Sequence, residues 1–263
     1  MKTTVMTGVL AGGTILAMQA LAQLPGQLPS AAATPNAGTG SMLKGATGGC
    51  QGLIDQASSL ASALQGGLKS SALSEITQAK SSLSSGDTSA CMSHANKALA
   101  KWQQWTVDHP NDSQGFTVLG SLQEAQGNRD QAMASYKKAL QIQPEQPIAA
   151  NNLAYLMVET GQNTDVALSL AQIARRAMPN APSTADTLAW AYYHKGNFTS
   201  ARDLLEEAVK ADPNNAALHY HLGLTYSKLS NSADATLHLK KAVALAPNSQ
   251  TAKDAEKALG QLS

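Results

Sequence analysis

The sequence predicts an all-α array of paired helices, on three observations. The first is recurrence: "GNRDQAMASYKKALQIQP" (Gly127 to Pro144) returns as "GNFTSARDLLEEAVKADP" (Gly196 to Pro213) and, more loosely, as "SNSADATLHLKKAVALAP" (Ser230 to Pro247). The two glycines are 69 residues apart and Ser230 follows Gly196 by 34, so a further copy is expected between them. "GQNTDVALSLAQIARRAMP" (Gly161 to Pro179) is that copy, with one residue inserted after its glycine. A fixed period of about 34 residues marks stacked helical hairpins. The second is that each copy repeats small and apolar residues at helical spacing between a glycine and a proline. The third is composition: only 4% aromatic and 14% charged, with abundant alanine, serine, leucine and glutamine, which suits helices packed closely through small side chains.

The 263 residues allow one or two domains. Residues 1–22 read as an export signal. Lys2 supplies the positive start, Val5 to Met18 the apolar run, and Ala20-Leu21-Ala22 the small-x-small cleavage site, giving a mature start at Gln23. The run is short and broken by glycines, which favours removal over retention as a membrane anchor. No cysteine follows it closely enough to carry a lipid. Residues 23–46, rich in Pro, Gly, Ala, Ser and Thr with a single charge, have too little apolar surface to offset ordering entropy and read as a flexible spacer.

Residues 47–106 turn helical and read as an N-terminal cap. Leu53, Ala57, Leu60 and Leu64 share one face of a first helix, which Gly66-Gly67 is expected to break. Leu73, Ile76, Ala79, Lys80 and Leu83 are spaced for a second. Gly86 and Asp87 then stop that helix and cap a third, "TSACMSHANKALAKWQQW", which resembles the second half of the repeat. Cys50 and Cys91 are the only cysteines, and in an exported chain that count points to one disulfide. Each lies near the N-terminal end of its helix, and the first and third helices of an up-down-up bundle run parallel, so both fall at one end. The alternative is two separate buried thiols; no CxxC redox motif is present.

Residues 107–263 carry four repeats, at 113–146, 147–181, 182–215 and 216–249, and a final amphipathic helix to cover the exposed end of the stack. Leu119, Leu153, Leu188 and Leu222 hold the seventh place of each unit, and Gly120, Ala154, Ala189 and Gly223 the eighth, small enough for backbones to approach. Gly127, Gly161 and Gly196 sit where the chain reverses with a positive φ, and Ser230 departs from them at a cost of about 1 kcal/mol. Ala132, Ala167, Ala201 and Ala235 mark the tight crossing within each hairpin. Ala139, Ala174, Ala208 and Ala242 do the same against the next unit, and Pro144, Pro179, Pro213 and Pro247 close each second helix.

On these residues the chain from about Ser113 to Ser249 resembles the tetratricopeptide repeat family. The resemblance implies a right-handed solenoid whose first helices line a concave face, with places 2, 5, 9, 12 and 13 of each unit pointing into it. The residues at those places include Asn151, Tyr155 and Val158 in the second unit, Asp186, Trp190, Tyr193 and His194 in the third, and Tyr220, Leu224 and Lys228 in the fourth. Of eleven aromatics, Tyr155, Trp190, Tyr193 and Tyr220 thus fall on one stripe. They read either as packing between first helices or as a groove that stacks on a ligand. Asn151, Tyr155, Asp186, Trp190, Tyr193, Tyr220 and Leu224 are the candidate groove, with Asp186 expected to select a donating ligand. A version of the family grips a terminal carboxylate with Lys, Asn and Arg. Here Thr117, Ser121, Ser183 and Thr187 stand at those places and only Asn152 matches, so that function does not carry over.

No catalytic motif is found. "GATGG" lacks the Lys-Ser/Thr of a phosphate loop, and neither GxSxG nor HExxH occurs. His219 and His221 are two apart and diverge on a helix, against a metal site; His194 reads as solvated, and Glu206 and Glu207 as ordinary outer-face charges. Net charge is +1, and zero without Lys2, which removes the basic field that nucleic acid would need. The expectation is a non-catalytic, cofactor-free protein-binding scaffold, periplasmic or secreted, in the bacterial envelope, by fold-level likeness to organisers of secretion or polysaccharide export. Its partner is a protein or peptide in the concave groove, without nucleic acid or a lasting membrane anchor. A carbohydrate-binding module with an aromatic groove is the alternative.

Overall fold

The structure, a computed structural model, describes residues 64–262 together with Cys50, Ile54, Asp55, Ala57, Ser58 and Ala61. The export signal and the spacer lie outside the described residues. From Gly66 onward the described residues form eleven helices: α1 (Gly66–Ser84), α2 (Thr88–Asp108), α3 (Ser113–Ala125), α4 (Arg129–Ile142), α5 (Pro147–Glu159), α6 (Thr164–Ala177), α7 (Pro182–His194), α8 (Phe198–Ala211), α9 (Ala216–Lys228), α10 (Ser232–Leu245) and α11 (Gln250–Leu259). The described residues form no strand. The units open at Ser113, Pro147, Pro182 and Ala216, as the period predicts. Hairpins α3–α4, α5–α6, α7–α8 and α9–α10 stack in order, each first helix also touching the next, and α11 covers α9 and α10.

The small residues are required by distance. A methyl placed on Gly120 would lie 2.6 Å from the Tyr136 ring, and one on Gly223 would lie 2.7 Å from Leu239. All eight hairpin alanines are buried. Each reversal ends its first helix with a backbone bond across six residues, such as Asn128 N–H to the Gln123 carbonyl at 2.8 Å and Asn197 N–H to Tyr192 at 2.9 Å. Gly127, Gly161 and Gly196 have φ of +81°, +68° and +77°, and Ser230 is forced to +59° in the same role. The residue inserted in the second unit, Gln162, takes the position of the other units' asparagine in this bond, and Asn163 after it absorbs the extra length at φ +20° while still capping α6.

In the cap, Cys50 and Cys91 are joined, their Cα atoms 6.0 Å apart. Two expectations are corrected. Gly66 and Gly67 open α1 and do not merely break the chain, because Gly66 takes φ +56° and starts the helical turn. The buried stripe of α1 is Ala72, Ile76 and Ala79, one position off Leu73, which is 45% exposed. In the segment before it, Ile54, Ala57, Ala61 and Leu64 are buried among the described residues, and Leu53 and Leu60 lie outside them. Alanines let these helices come close, so the face follows the small residues. Trp102 and Trp105 fill the cap's interior. The Trp105 indole N–H donates to Asp112 Oδ2 at 2.7 Å, and Gly115 lets α3 approach that ring, which couples the cap to the first repeat.

Candidate functional site

Trp190 sits at the centre of the predicted stripe, where α5, α7 and α9 meet. It comes from α7, a helix opened by Pro182 and nearly all buried up to Ala191. Its indole lies flat against His221 (centroids 4.2 Å, 16°) and against Tyr193 (4.7 Å, 17°), with His194 edge-on at 4.8 Å. Its N–H donates to Glu159 Oε1 at 2.8 Å. Glu159 is exposed, at the end of α5. Tyr193 continues the stack edge-on to Phe198.

Beneath the rings, His221 Nδ1 donates to Asp186 Oδ1 at 2.7 Å, both side chains buried. Burial by itself disfavours the imidazolium. The Asp186 carboxylate, by charge and hydrogen bond, and the charge of Glu159 nevertheless carry the His221 pKa above the ordinary histidine value. Burial, followed by the charges of Glu159, Asp186 and Glu124, raises the Tyr155 hydroxyl; burial, with Asp254 and Glu159, pushes that of Tyr220 up to about 12.

A second polar chain runs between the first two units. Tyr136, fully buried, lies 3.1 Å from Glu124 Oε2 and accepts from Asn152 Nδ2 at 3.0 Å; Asn152 Oδ1 in turn accepts from Asn151 Nδ2 at 3.2 Å. The single Tyr136 proton goes to Glu124 or to Ser121 Oγ, also at 3.1 Å, and toward Asn152 the hydroxyl oxygen accepts, which orients both amides. Asn151 is thereby left with its carbonyl oxygen, which is buried and has no partner. A third cluster joins α9 to α10: His219 Nε2 donates to the Pro213 carbonyl at 3.1 Å, and His219 Nδ1 lies 2.8 Å from His238 Nδ1.

The candidate groove therefore divides. Tyr155, Tyr193, Tyr220 and Leu224 keep part of their surface exposed. Asn151, Asp186 and Trp190, at 1%, 2% and 6% exposure, do not line an open surface. Asp186 does not await a donating ligand, because His221 already donates to it. Trp190 is held as packing between first helices. His219 and His221 diverge as their spacing predicts, and among the described residues no group of three metal-ligating side chains gathers. Glu159 and His221 escaped sequence reasoning. His221 lies 35 residues from Asp186 and Trp190 lies 31 from Glu159, about one period each, so pairing residues across one repeat would have found both contacts.

A stack of roughly 34-residue helical hairpins with a polar and aromatic inner face is a protein-interaction scaffold. The family model for the TPR repeat matches residues 120–161 and 190–230, and a second, for the tetratricopeptide repeat, matches 216–249. Over these residues the chain carries tetratricopeptide repeats, a fold that binds peptide or protein partners. It is similar to MamA (41 to the end) of Desulfovibrio magneticus RS-1, 20% identical over 69% of this chain and 97% of that one, with a TM-score of 0.50, a likeness of fold alone. It is also similar to TTC0263, a thermophilic TPR protein of Thermus thermophilus, at 27% identity over 57% of this chain and 80% of that one, with a TM-score of 0.49. Among curated proteins it matches the "probable biofilm formation methyltransferase WspC" of Pseudomonas putida, 31% identical over 67 residues, or 26% of this chain. It also matches "small glutamine-rich tetratricopeptide repeat-containing protein 2" of Mycosarcoma maydis, 28% identical over 102 residues, or 39% of this chain. The chain spans 16% and 29% of the lengths of these two relatives.

Proposed function

We propose that the protein is a non-catalytic scaffold that holds an extended segment of a partner protein along the inner faces of α3, α5, α7 and α9. The observation that carries this reading is the accessible rim of the Trp190 cluster, where Glu159 and parts of Tyr155, Tyr193 and Tyr220, from three consecutive units, lie on the face the family uses for binding. The Cys50–Cys91 bond favours work in an oxidising compartment, outside the cytoplasm. With the export signal expected at residues 1–22, we assign the scaffold to a bacterial cell envelope, in the service of a secretion or polysaccharide-export assembly. Among the described residues no helix is long and apolar enough to cross a membrane. A glycan platform is the weaker reading, since the flat contacts of Trp190 go to Tyr193 and His221 and leave little ring face for a sugar.

Site-specific photo-crosslinking tests the reading in cells that make the protein naturally. A photoreactive residue replacing His194, exposed on the inner side, should capture a partner, whereas one replacing Lys210, exposed on α8, should not. Equal capture at both positions would refute the inner face as the site. N-terminal sequencing of the mature protein tests export, with Gln23 as the expected first residue.

A further inference from the structure

The inner face carries more chemistry than a generic peptide groove. Glu159 is exposed at the rim of the aromatic stack, yet its Oε1 is fixed by the Trp190 indole N–H at 2.8 Å. A carboxylate positioned this way has already lost side-chain freedom, and its second oxygen is left to accept from another donor. Tyr193, half-buried and stacked on Trp190, adds an aromatic surface beside it. Such surfaces attract cations through the ring quadrupole. Negative potential extends along the stripe, since Glu159 acts on the hydroxyls of both Tyr155 and Tyr220, with Asp186 and Glu124 reinforcing it at the first and Asp254 at the second. Arg129 opposes at Tyr155, and Asp186 is hydrogen-bonded to His221. Partial burial lowers the His194 pKa, with Glu159 opposing and His221 adding to the shift.

A second observation, independent of the acidic groups, points to the same ligand chemistry. Asn151, Tyr155 and Glu159 occupy places 5, 9 and 13 of one unit and so share one face of α5. Asn151 is 1% exposed and its carbonyl oxygen is unpartnered, with the amide orientation set through Asn152 by the Tyr136 hydroxyl oxygen. The unmet group is therefore a buried acceptor on the helix face that Tyr155 and Glu159 share.

Resting on the scaffold reading above, we infer that the inner face of the second and third units holds a basic segment of the partner, with an arginine bonded to Glu159 and laid against the accessible part of the Tyr193 ring. Arginine suits the site better than lysine. Its guanidinium is planar, stacks on rings, and offers several donors at once to the Glu159 oxygen and to nearby acceptors. Lys228, exposed at the end of α9, confines the attractive stretch to the units before it.

Calorimetric titration of the full chain tests this with four blocked decapeptides, in which serine alternates with arginine, lysine, glutamine or glutamate. The arginine peptide should bind, the lysine peptide several-fold more weakly, and the glutamine and glutamate peptides at least about tenfold more weakly. Glu159→Gln keeps an acceptor for Trp190 and should leave the melting temperature unchanged while weakening the arginine peptide about tenfold. Glu256→Gln, exposed on α11, should leave that affinity unaltered. The inference is overturned if the glutamate peptide binds as well as the arginine peptide, if no arginine peptide binds, or if Glu159→Gln has no effect. It is overturned equally if Glu256→Gln weakens binding as much, since the attraction would then be diffuse. Any of these outcomes alongside inner-face crosslinking at position 194 would remove the basic ligand and leave the scaffold reading standing.

Discussion

His219 and His221 stand two residues apart on α9 and face different worlds. His221 turns to the inner side, bonds Asp186 and stacks on Trp190, and its pKa is raised. His219 turns into its own hairpin, shares a proton with His238, and its pKa is lowered by burial, with the Pro213 carbonyl opposing and Lys241 adding to the shift; burial and then His219 lower that of His238. Both rings are buried, so burial does not separate them. The partner does. A carboxylate rewards the charged ring, whereas a second imidazole accepts one proton between two rings and penalises the next.

Four experiments sharpen or break that contrast, from the largest expected effect down. Trp190→Ala removes the ring that covers His221 and should cost about 3–5 kcal/mol in denaturant unfolding. A loss below about 1 kcal/mol would return Trp190 to the surface. Asp186→Ala leaves a buried imidazole without its carboxylate and should cost about 3 kcal/mol at pH 6, with the His221 ring titrating at lower pH by NMR. An unmoved titration would show that Asp186 does not set it.

Third is pH dependence, in which the two histidines pull in opposite directions. The raised His221 pKa gives stability that is complete below about 6.5, the unfolded value, and is lost as pH rises through the folded one. The lowered pKa values of His219 and His238 give stability present above about 6.5 and lost as pH falls through their folded values. His238→Phe should cost about 1–2 kcal/mol at pH 7.5 and flatten the acid-side loss, while His221→Gln should steepen it. Matching curves for the two variants would erase the contrast. Smallest, Ser230→Gly relieves the left-handed turn of the same hairpin without touching a charge. It should gain about 0.5–1 kcal/mol at every pH, which calorimetry at two pH values would check.

The repeats were legible because each position answers to a local steric demand. Gly120 must clear Tyr136, Gly223 must clear Leu239, and the turn residues must take positive φ, so residue type alone reports the place. The cap was less legible because alanines outnumber leucines among its described buried residues; Ile76 and Ala79 lie on the buried face as their spacing predicts, but Ala72 stands there in place of Leu73. At the site, the aromatic stripe was visible and its burial was not. Whether a ring faces solvent or a neighbouring helix depends on the next unit, and Trp190 is covered by His221 from the repeat after it and tied to Glu159 from the repeat before.

The crosslink at the N-terminal end gives this one-dimensional stack a direction. Each hairpin is held by its neighbours alone, so opening starts from an end. One end is tied by a covalent ring that spans a sequence separation of 41. The other rests on α11, ten residues long, which meets α10 where Ala255 packs against Leu239 and Ala242. Deuterium uptake should therefore advance as a front from α11 inward, reaching α9 and α10 before α5 and α7. A partner held at the second and third hairpins would then sit on slowly exchanging ground, and the last hairpin would fray and reseal many times during one residence of the bound chain.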